Sequence, residues 1–197
     1  MAKTMNDPTL DDMQAAERIV RYIHGTLDYG MTFSGNSTQL YAWADASFES
    51  ERGGLSRSSI VFAIGENSGA FLAKSFTQHI RALSTQEAEI QALSEAARYV
   101  IFFRMILQEL GFPQERNIIF EDNNAAISFA KGESDFDRTK HISRHYRYAA
   151  QQYDEGNIDV VRIDTASQRA DQGTKILPPT AHQAQTASNL NLSMAVP

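Results

Sequence analysis

Hydrophobic and polar positions alternate along several short stretches of the chain, which is the pattern of strands with one buried face. In QLYAWADA, the alternation places Tyr41, Trp43 and Asp45 on one side, with Asp45 at the end of the strand. SSIVFAI and GAFLAKS follow with the turn GENSG between them, so the pattern predicts three consecutive strands in an antiparallel meander. RNIIFED, which ends at Asp122, and the later NIDVVRI predict two further strands. A short additional strand is expected around Tyr29–Phe33.

Two segments, Thr9–Gly25 and Ser84–Leu110, carry apolar residues at the spacing of amphipathic helices. The second opens with Ser-Thr-Gln-Glu, a capping box in which Glu87 bonds back to the N-cap amide and so has a structural role. Glu89 has no such role, and it lies at the margin of the buried face, where its carboxylate can point into a cleft between helix and sheet. Shorter helices are predicted from Asn123, before Gly156, and from about Ser167.

The length and composition of the chain predict one main domain. It has 197 residues, 42% of them hydrophobic, which is enough for a sizeable core. We expect a tether helix and linker in residues 1–37, the main domain in residues 38–179, and a disordered tail in the polar residues 180–197. No apolar run approaches the roughly 20 residues of a spanning helix, and no signal peptide opens the chain, so a membrane protein is not expected. The absence of cysteine excludes disulfides and thiolate metal sites and fits a cytosolic protein.

The charge distribution bears on nucleic-acid binding. The net charge of −6 argues against strong autonomous binding, because phosphate contacts depend on Lys and Arg. The most basic stretch carries Arg138, Lys140, His141, Arg144, His145 and Arg147. These side chains either contact phosphates or form a solvated basic helix face. His141 either contacts substrate or packs at a helix N-terminus, and we assign it no catalytic role.

Four acidic residues, Asp45, Glu89, Asp122 and Asp171, are candidate ligands of divalent metal ions. Mg²⁺ prefers hard oxygen ligands, and hydrolysis of a phosphodiester by two metal ions needs a cluster of carboxylates rather than a side-chain nucleophile. Taken singly, each acid has an ordinary explanation as a turn, cap or solvated helix residue. Glu121 precedes Asp122 and is expected to point to the opposite face of its strand, so we do not count it among the ligands.

The blocks around these acids resemble the ribonuclease H domain of Ty/copia-type (Pseudoviridae) LTR retrotransposon polyproteins. They read WADASFES, ALSTQEAEIQALSEA, EDNNAAI, RTKHISRHY and RADQGTK, in the order of the family and at comparable spacing over roughly residues 7–177. The N-terminal DDMQAAERIVRYIHGTLDYGMTF is similar to the segment that links the polymerase to its ribonuclease H. This sequence departs from the family at Ser47 and Ser143, where the family has acids, and at Glu121, where it usually has Cys.

The resemblance implies an α/β, ribonuclease H-like fold, with a mixed five-stranded sheet of order 3-2-1-4-5, its first three strands antiparallel, flanked by helices. It also implies endonucleolytic cleavage of the RNA strand of RNA/DNA hybrids, leaving 5′ phosphates and 3′ hydroxyls. Asp45, Glu89, Asp122 and Asp171 would be the catalytic ligands of two Mg²⁺ ions, for which Mn²⁺ substitutes. The expected partner is the reverse transcriptase domain of the same polyprotein, in a cytoplasmic virus-like particle or in the nucleus.

Two other functions remain open at this point. A non-catalytic or domesticated ribonuclease H-fold module would only bind nucleic acid or a polymerase partner. It would have no physical reason to keep buried like charges that repel one another without metal. A different nuclease on the same fold, such as an integrase or an exonuclease, is the second alternative, since a fold does not settle a function.

Overall fold

The computed structural model describes residues 5–51, 53–133 and 144–192. The chain divides into two compact units, Met1–Gly30 and Met31–Pro197, so the division falls earlier than the boundary expected after residue 37. Within the described ranges, no helix combines the length and the hydropathy that crossing a membrane requires.

The first unit is built on helix α1, Leu10–Gly25. Its N-terminus is closed by a capping box, in which the Thr9 amide donates to Asp12 at 2.9 Å and the Asp12 amide donates to the Thr9 hydroxyl at 3.2 Å. None of the residues of α1 is buried. The apolar stripe that predicted this helix is therefore exposed within its own unit.

The second unit contains a five-stranded sheet. Its strands are β1 Leu40–Ser47, β2 Arg57–Ile64, β3 Ala70–Thr77, β4 Asn117–Glu121 and β5 Ile158–Arg162. The order is β3-β2-β1-β4-β5; β1, β2 and β3 pair antiparallel, whereas β4 pairs parallel with both β1 and β5. The predicted α/β class, strand order and antiparallel meander are confirmed.

The expected strand around Tyr29–Phe33 is absent. The backbone groups of this stretch are used elsewhere, since the Tyr29 amide closes a turn onto Thr26 at 3.0 Å. The Thr32 amide donates to the Leu190 carbonyl at 2.9 Å, so it does not take part in a strand ladder. The prediction was wrong because apolar residues alone do not provide a neighbouring strand.

Four helices accompany the sheet in the described part of the second unit: α2 Thr85–Glu109, α3 Asn124–Ala130, α4 Tyr148–Asp154 and α5 Pro179–Leu190. At the start of α2, the Ser84 hydroxyl accepts from the Glu87 amide at 3.1 Å, as predicted. The Glu87 carboxylate accepts from the Leu83 amide at 2.8 Å, one residue before the N-cap. Glu87 therefore has a structural role, but its donor is the Leu83 amide rather than the N-cap amide that the capping box predicted.

The sheet buries apolar residues on both faces. Alternate residues of β1, including Ala42 and Ala44, pack with the buried side of α2 in the main core cluster, which also contains Ile119 of β4. Trp43 and Phe120 point to the other face and stack at 5.2 Å between ring centroids. Because strand side chains alternate, Asp45 shares the face of Trp43, whereas Glu121 shares the face of Ile119 and α2.

Two expectations for the C-terminal part are wrong. The helix predicted from about Ser167 is replaced by two short 3-10 turns, Thr165–Ser167 and Asp171–Gly173. The tail predicted to be disordered from residue 180 is helix α5 over Pro179–Leu190. Its first turn begins at a proline, which is favoured at this position because a helix leaves that N–H unpaired in any case.

Tertiary contacts of Arg169 explain why α5 forms although its sequence has little periodicity. Arg169 is buried, and its guanidinium donates to Asn189 Oδ1 at 3.0 Å and to the carbonyl oxygens of Ser188 at 2.8 Å and Ser68 at 3.1 Å. It also lies 4.4 Å from the centroid of the Trp43 ring. One buried cation thus joins α5 to the β2–β3 turn and to the sheet.

Candidate metal centre

Asp45 lies near the carboxyl end of β1, the central strand, and is fully buried. Its carboxylate accepts hydrogen bonds from the Thr174 hydroxyl and, at 3.1 Å, from Lys175 Nζ. Both partners come from the segment that follows Asp171. The strand therefore supplies a fixed carboxylate to which the C-terminal segment is bonded.

Asp171 reaches the same place from the 3-10 turn Asp171–Gly173. The turn is held to β1 by the fully buried Gln168, whose side-chain amide donates to the Ala44 carbonyl at 2.9 Å. Gly173 lies so close to β2 that a Cβ atom there would be 2.3 Å from Ser59 Oγ. Close packing against the sheet thus fixes Asp171 beside Asp45.

Asp122 follows directly after β4, the parallel neighbour of β1. It is half-buried, and it accepts a hydrogen bond from the Thr165 hydroxyl at 2.7 Å. One carboxylate oxygen each from Asp45, Asp122 and Asp171 lies within 4.8 Å of the other two. We call these three residues the aspartate group.

Glu89 approaches from α2, on the other face of the sheet, and is buried. One of its carboxylate oxygens lies within 4.8 Å of oxygens of Glu121 and Asp122. We call Glu89, Glu121 and Asp122 the glutamate group. Asp122 belongs to both groups, so all four predicted carboxylates converge on one edge of the sheet.

Glu121, which the sequence analysis left out of the candidate ligands, lies in the glutamate group. Alternation does turn it away from the face of Asp45, as expected, but α2 covers that second face and brings Glu89 to it. The sequence analysis considered only the face of the sheet that carries Asp45, so it did not bring Glu121 together with Glu89. The detectable signal was an acid inside an otherwise apolar strand, next to a candidate ligand.

Burial is the largest cause of the raised pKa values in this centre. It raises the pKa of Asp45 from its ordinary 3.8 to about 6, although the Thr174 hydrogen bond and the charge of Lys175 oppose it. Burial and the neighbouring charge of Glu121 raise the pKa of Glu89 to about 10. Burial also raises the pKa of Glu121 well above its ordinary value. Without a metal ion, a pKa of about 10 keeps the Glu89 carboxyl protonated at neutral pH.

Sequence comparison places this centre in a family context. Over 178 residues, the chain is 30% identical to the Retrovirus-related Pol polyprotein from transposon TNT 1-94 of Nicotiana tabacum, covering 90% of this chain and 13% of that protein. Over 200 residues it is 28% identical to the Pol polyprotein from transposon RE1 of Arabidopsis thaliana, covering 100% of this chain and 13% of that protein. The chain is a homologue of plant retrotransposon Pol polyproteins. The predicted family is thereby confirmed.

This retrotransposon Pol homologue spans about 13% of the length of either relative. No protein-family model matches it. Among solved structures, ribonuclease H1 from the halophilic archaeon Halobacterium salinarum NRC-1 is similar with a TM-score of 0.47 and 18% identity. The match covers 67% of this chain and 90% of that one.

Lys175 is a functional candidate that the sequence analysis did not single out. Its Nζ lies 2.6 Å from Asp171 Oδ1 and 3.1 Å from Asp45 Oδ1, so the ammonium bridges two members of the aspartate group. Burial lowers its pKa, but the hydrogen bond to Asp171 and the charge of Asp45 outweigh burial, and the net pKa is raised. A basic residue four positions after an acid is the sequence signal that could have found it.

The donor set of the Pol homologue fits hard divalent cations such as Mg²⁺ and Mn²⁺. Every candidate ligand is a carboxylate oxygen, which is the ligand type these ions prefer. Within the described part of the chain, Glu89 Oε2 and Glu121 Oε2 are buried without a hydrogen-bond partner. A buried carboxylate oxygen without a donor is costly, and a cation at this place would satisfy it.

The basic stretch that the sequence analysis singled out is described only in part. The predictions for Arg138, Lys140, His141 and Ser143 lie outside the described residues. Arg144 and His145 lie in the 3-10 helix Arg144–Arg147. The Arg147 guanidinium lies 5.8 Å from the centroid of the Phe129 ring.

Proposed function

We propose that this domain is a metal-dependent endonuclease that hydrolyses the RNA strand of RNA/DNA hybrids during retrotransposon reverse transcription. One observation carries the proposal: four carboxylates from four separate segments converge on one edge of the sheet, with Asp122 common to the aspartate and glutamate groups. The homology to retrotransposon Pol polyproteins supports it, since reverse transcription leaves RNA paired to new DNA.

Asp45, Glu89, Asp122 and Asp171 would hold two divalent metal ions. When bound, such ions activate the attacking water and stabilise the leaving 3′ oxygen, so that the products carry a 5′ phosphate and a 3′ hydroxyl. The residues of the chain provide the rigid frame. Asp45 is fixed by a central strand, Glu89 by a long helix, and Asp171 by a turn packed on the sheet.

Lys175 has a separate role in this proposal. Its ammonium offsets part of the negative charge of Asp45 and Asp171 while no metal is bound, which limits the repulsion between two carboxylates in a buried place. Lys175 is therefore a positioning residue for the aspartate group.

Selection of the RNA strand would depend on contacts to 2′ hydroxyls and on the shape of the hybrid, so little sequence specificity is expected. The net charge of −6 limits the affinity of the domain for a polyanion. We therefore propose that the reverse transcriptase domain of the same polyprotein provides much of the affinity for the hybrid, and that both domains act in a virus-like particle.

The binding-only alternative is disfavoured by the unpartnered buried oxygens of Glu89 and Glu121 in the described structure. A domain that only binds nucleic acid gains nothing from buried carboxylates that repel one another. The alternative of another nuclease shares the proposed chemistry and differs in substrate, so only a substrate comparison separates the two.

The experiment is cleavage of end-labelled RNA/DNA, RNA/RNA and DNA/DNA duplexes at low salt in Mg²⁺ or Mn²⁺. The wild type is compared with Asp45→Asn and with Asp154→Asn, an exposed acid that serves as a charge-matched control. We expect cleavage of the RNA strand of the hybrid only, lost in Asp45→Asn and retained in Asp154→Asn. Equal cleavage of DNA/DNA would favour another nuclease.

A further inference from the structure

The environment of Glu121 differs from that of an ordinary buried glutamate. Its side chain is 0% exposed. Oε1 accepts a hydrogen bond from the Asn123 amide at 3.0 Å, while Oε2 has no partner among the described residues. The backbone is fixed as well, because the Glu121 carbonyl accepts from the Ile163 amide at 3.0 Å. The carboxylate is therefore held in place with one oxygen free.

That free oxygen has a counterpart on α2. Glu89 is 4% exposed, and its Oε2 likewise has no hydrogen-bond partner in the described ranges. Glu89, Glu121 and Asp122 each bring one carboxylate oxygen within 4.8 Å of the others. Two buried and unpartnered carboxylates beside a third acid require either protons or a cation to compensate their charge.

The negative charge of the carboxylates is compensated differently on the two faces of the sheet. On the side of Asp45, Lys175 bridges Asp45 and Asp171. On the side of Glu89 and Glu121, no described ion pair reaches either glutamate. The glutamate group therefore offers a divalent cation three oxygen ligands, and the charge of Lys175 acts on Glu89 without a described ion pair between them.

We propose that Glu121 is a fifth metal-binding carboxylate, which holds one of the two divalent cations together with Glu89 and Asp122. This inference rests on the proposed metal-dependent function and adds a ligand to it. The second cation belongs to the aspartate group, and Asp122 is shared. The unpartnered oxygens of Glu89 and Glu121 are then the ligand atoms for the cation on the α2 side.

The test measures metal binding without nucleic acid or turnover. Mn²⁺ binding to the full chain is titrated calorimetrically and by electron paramagnetic resonance for the wild type, Glu121→Gln and Asp45→Asn. Glu87→Gln is the matched control, because Glu87 is also a buried glutamate of this region, but its carboxylate bonds to the Leu83 amide outside the cluster. Glutamine keeps the size of the side chain and an acceptor for the Asn123 amide.

We expect Glu121→Gln to lower the affinity for one Mn²⁺ ion at least tenfold and to leave the affinity for the second ion unchanged. Asp45→Asn should lower the affinity for that second ion. Glu87→Gln should bind both ions like the wild type. If Glu121→Gln binds both ions with wild-type affinity, Glu121 is structural and the inference is overturned, while loss of binding in Asp45→Asn would still support the proposed function. If the wild type binds no Mn²⁺, the proposed function itself fails.

Thermal unfolding in the presence of a chelator shows whether each variant is folded without metal. If Glu121→Gln unfolds, Glu121→Cys serves as the second variant, since the resembling family usually carries cysteine here. It should show the same loss of one ion. Wild-type affinity for both ions in a folded Glu121→Cys protein would overturn the inference equally.

Discussion

Replacing Asp45 by asparagine should stabilise the metal-free protein at alkaline pH. The buried Asp45 carboxylate is ionised above pH 6, since burial raises its pKa from the ordinary 3.8 to about 6 despite the opposing effects of Thr174 and Lys175. Because this pKa is higher in the folded protein than in the unfolded chain, the folded state binds the proton of Asp45 more tightly. The contribution of Asp45 to the free energy of unfolding is therefore fully present below about pH 4 and is lost as the pH rises through about 6. Asparagine is neutral throughout, so it avoids this loss.

The size of the effect follows from the pKa. Each tenfold change in proton affinity corresponds to about 1.4 kcal/mol, so a pKa raised from 3.8 to about 6 corresponds to about 3 kcal/mol at pH 8. For a chain of this size, 1 kcal/mol moves the melting temperature by roughly 2–4 °C. We therefore expect Asp45→Asn to melt roughly 6–12 °C above the wild type at pH 8, and at about the same temperature at pH 4.

The assay is thermal unfolding followed by circular dichroism in EDTA at both pH values. Asp154→Asn, which removes an exposed acid, is the control and should leave the melting temperature unchanged at either pH. An equal or lower melting temperature for Asp45→Asn than for the wild type at pH 8 would refute the reasoning. Added Mn²⁺ should then stabilise the wild type more than the variant, because Asp45 is a proposed ligand.

Three further substitutions test the surroundings of the centre. Lys175→Met should tighten Mn²⁺ binding at the aspartate group about fivefold, since it removes a competing positive charge; calorimetry that finds equal or weaker binding would contradict this. Gly173→Ala should lower the free energy of unfolding by about 1–3 kcal/mol, because its Cβ would lie 2.3 Å from Ser59 Oγ; an unchanged urea midpoint would count against it. Arg169→Met should lower the free energy of unfolding by about 3 kcal/mol, because it removes charged hydrogen bonds. Urea unfolding measures this change, and a loss below about 1 kcal/mol would be inconsistent with the anchoring role of Arg169.

Local sequence patterns were sufficient for the central part of the fold. The alternation in QLYAWADA and the two strands after it predicted the meander, and the apolar stripe with its Ser84 cap predicted α2. These features depend on residues close in sequence, so local reasoning reaches them. The resemblance then implied a mixed sheet and its strand order, in which β4 lies beside β1.

Features that depend on distant contacts were missed. Helix α5 has a weak pattern of its own and depends on the buried Arg169, whose partners include Ser68 in the β2–β3 turn. The turn at Asp171 takes its shape from packing on β2 rather than from helix propensity. Glu121 was excluded because the sequence does not say which helix covers the second face of β4.

The central claim is that carboxylate-bound metal ions hydrolyse the RNA strand of a hybrid, and Asp122 tests it most directly because both groups share it. The measurement is cleavage of a labelled RNA/DNA hybrid in Mg²⁺ and in EDTA, with analysis of the product ends, for the wild type, Asp122→Asn and the control Asp154→Asn. We predict RNA fragments with 3′ hydroxyls from the wild type and the control in Mg²⁺, and none from Asp122→Asn or in EDTA. Cleavage by Asp122→Asn at the wild-type rate, or no cleavage by the wild type even when fused to its polymerase segment, would contradict the account.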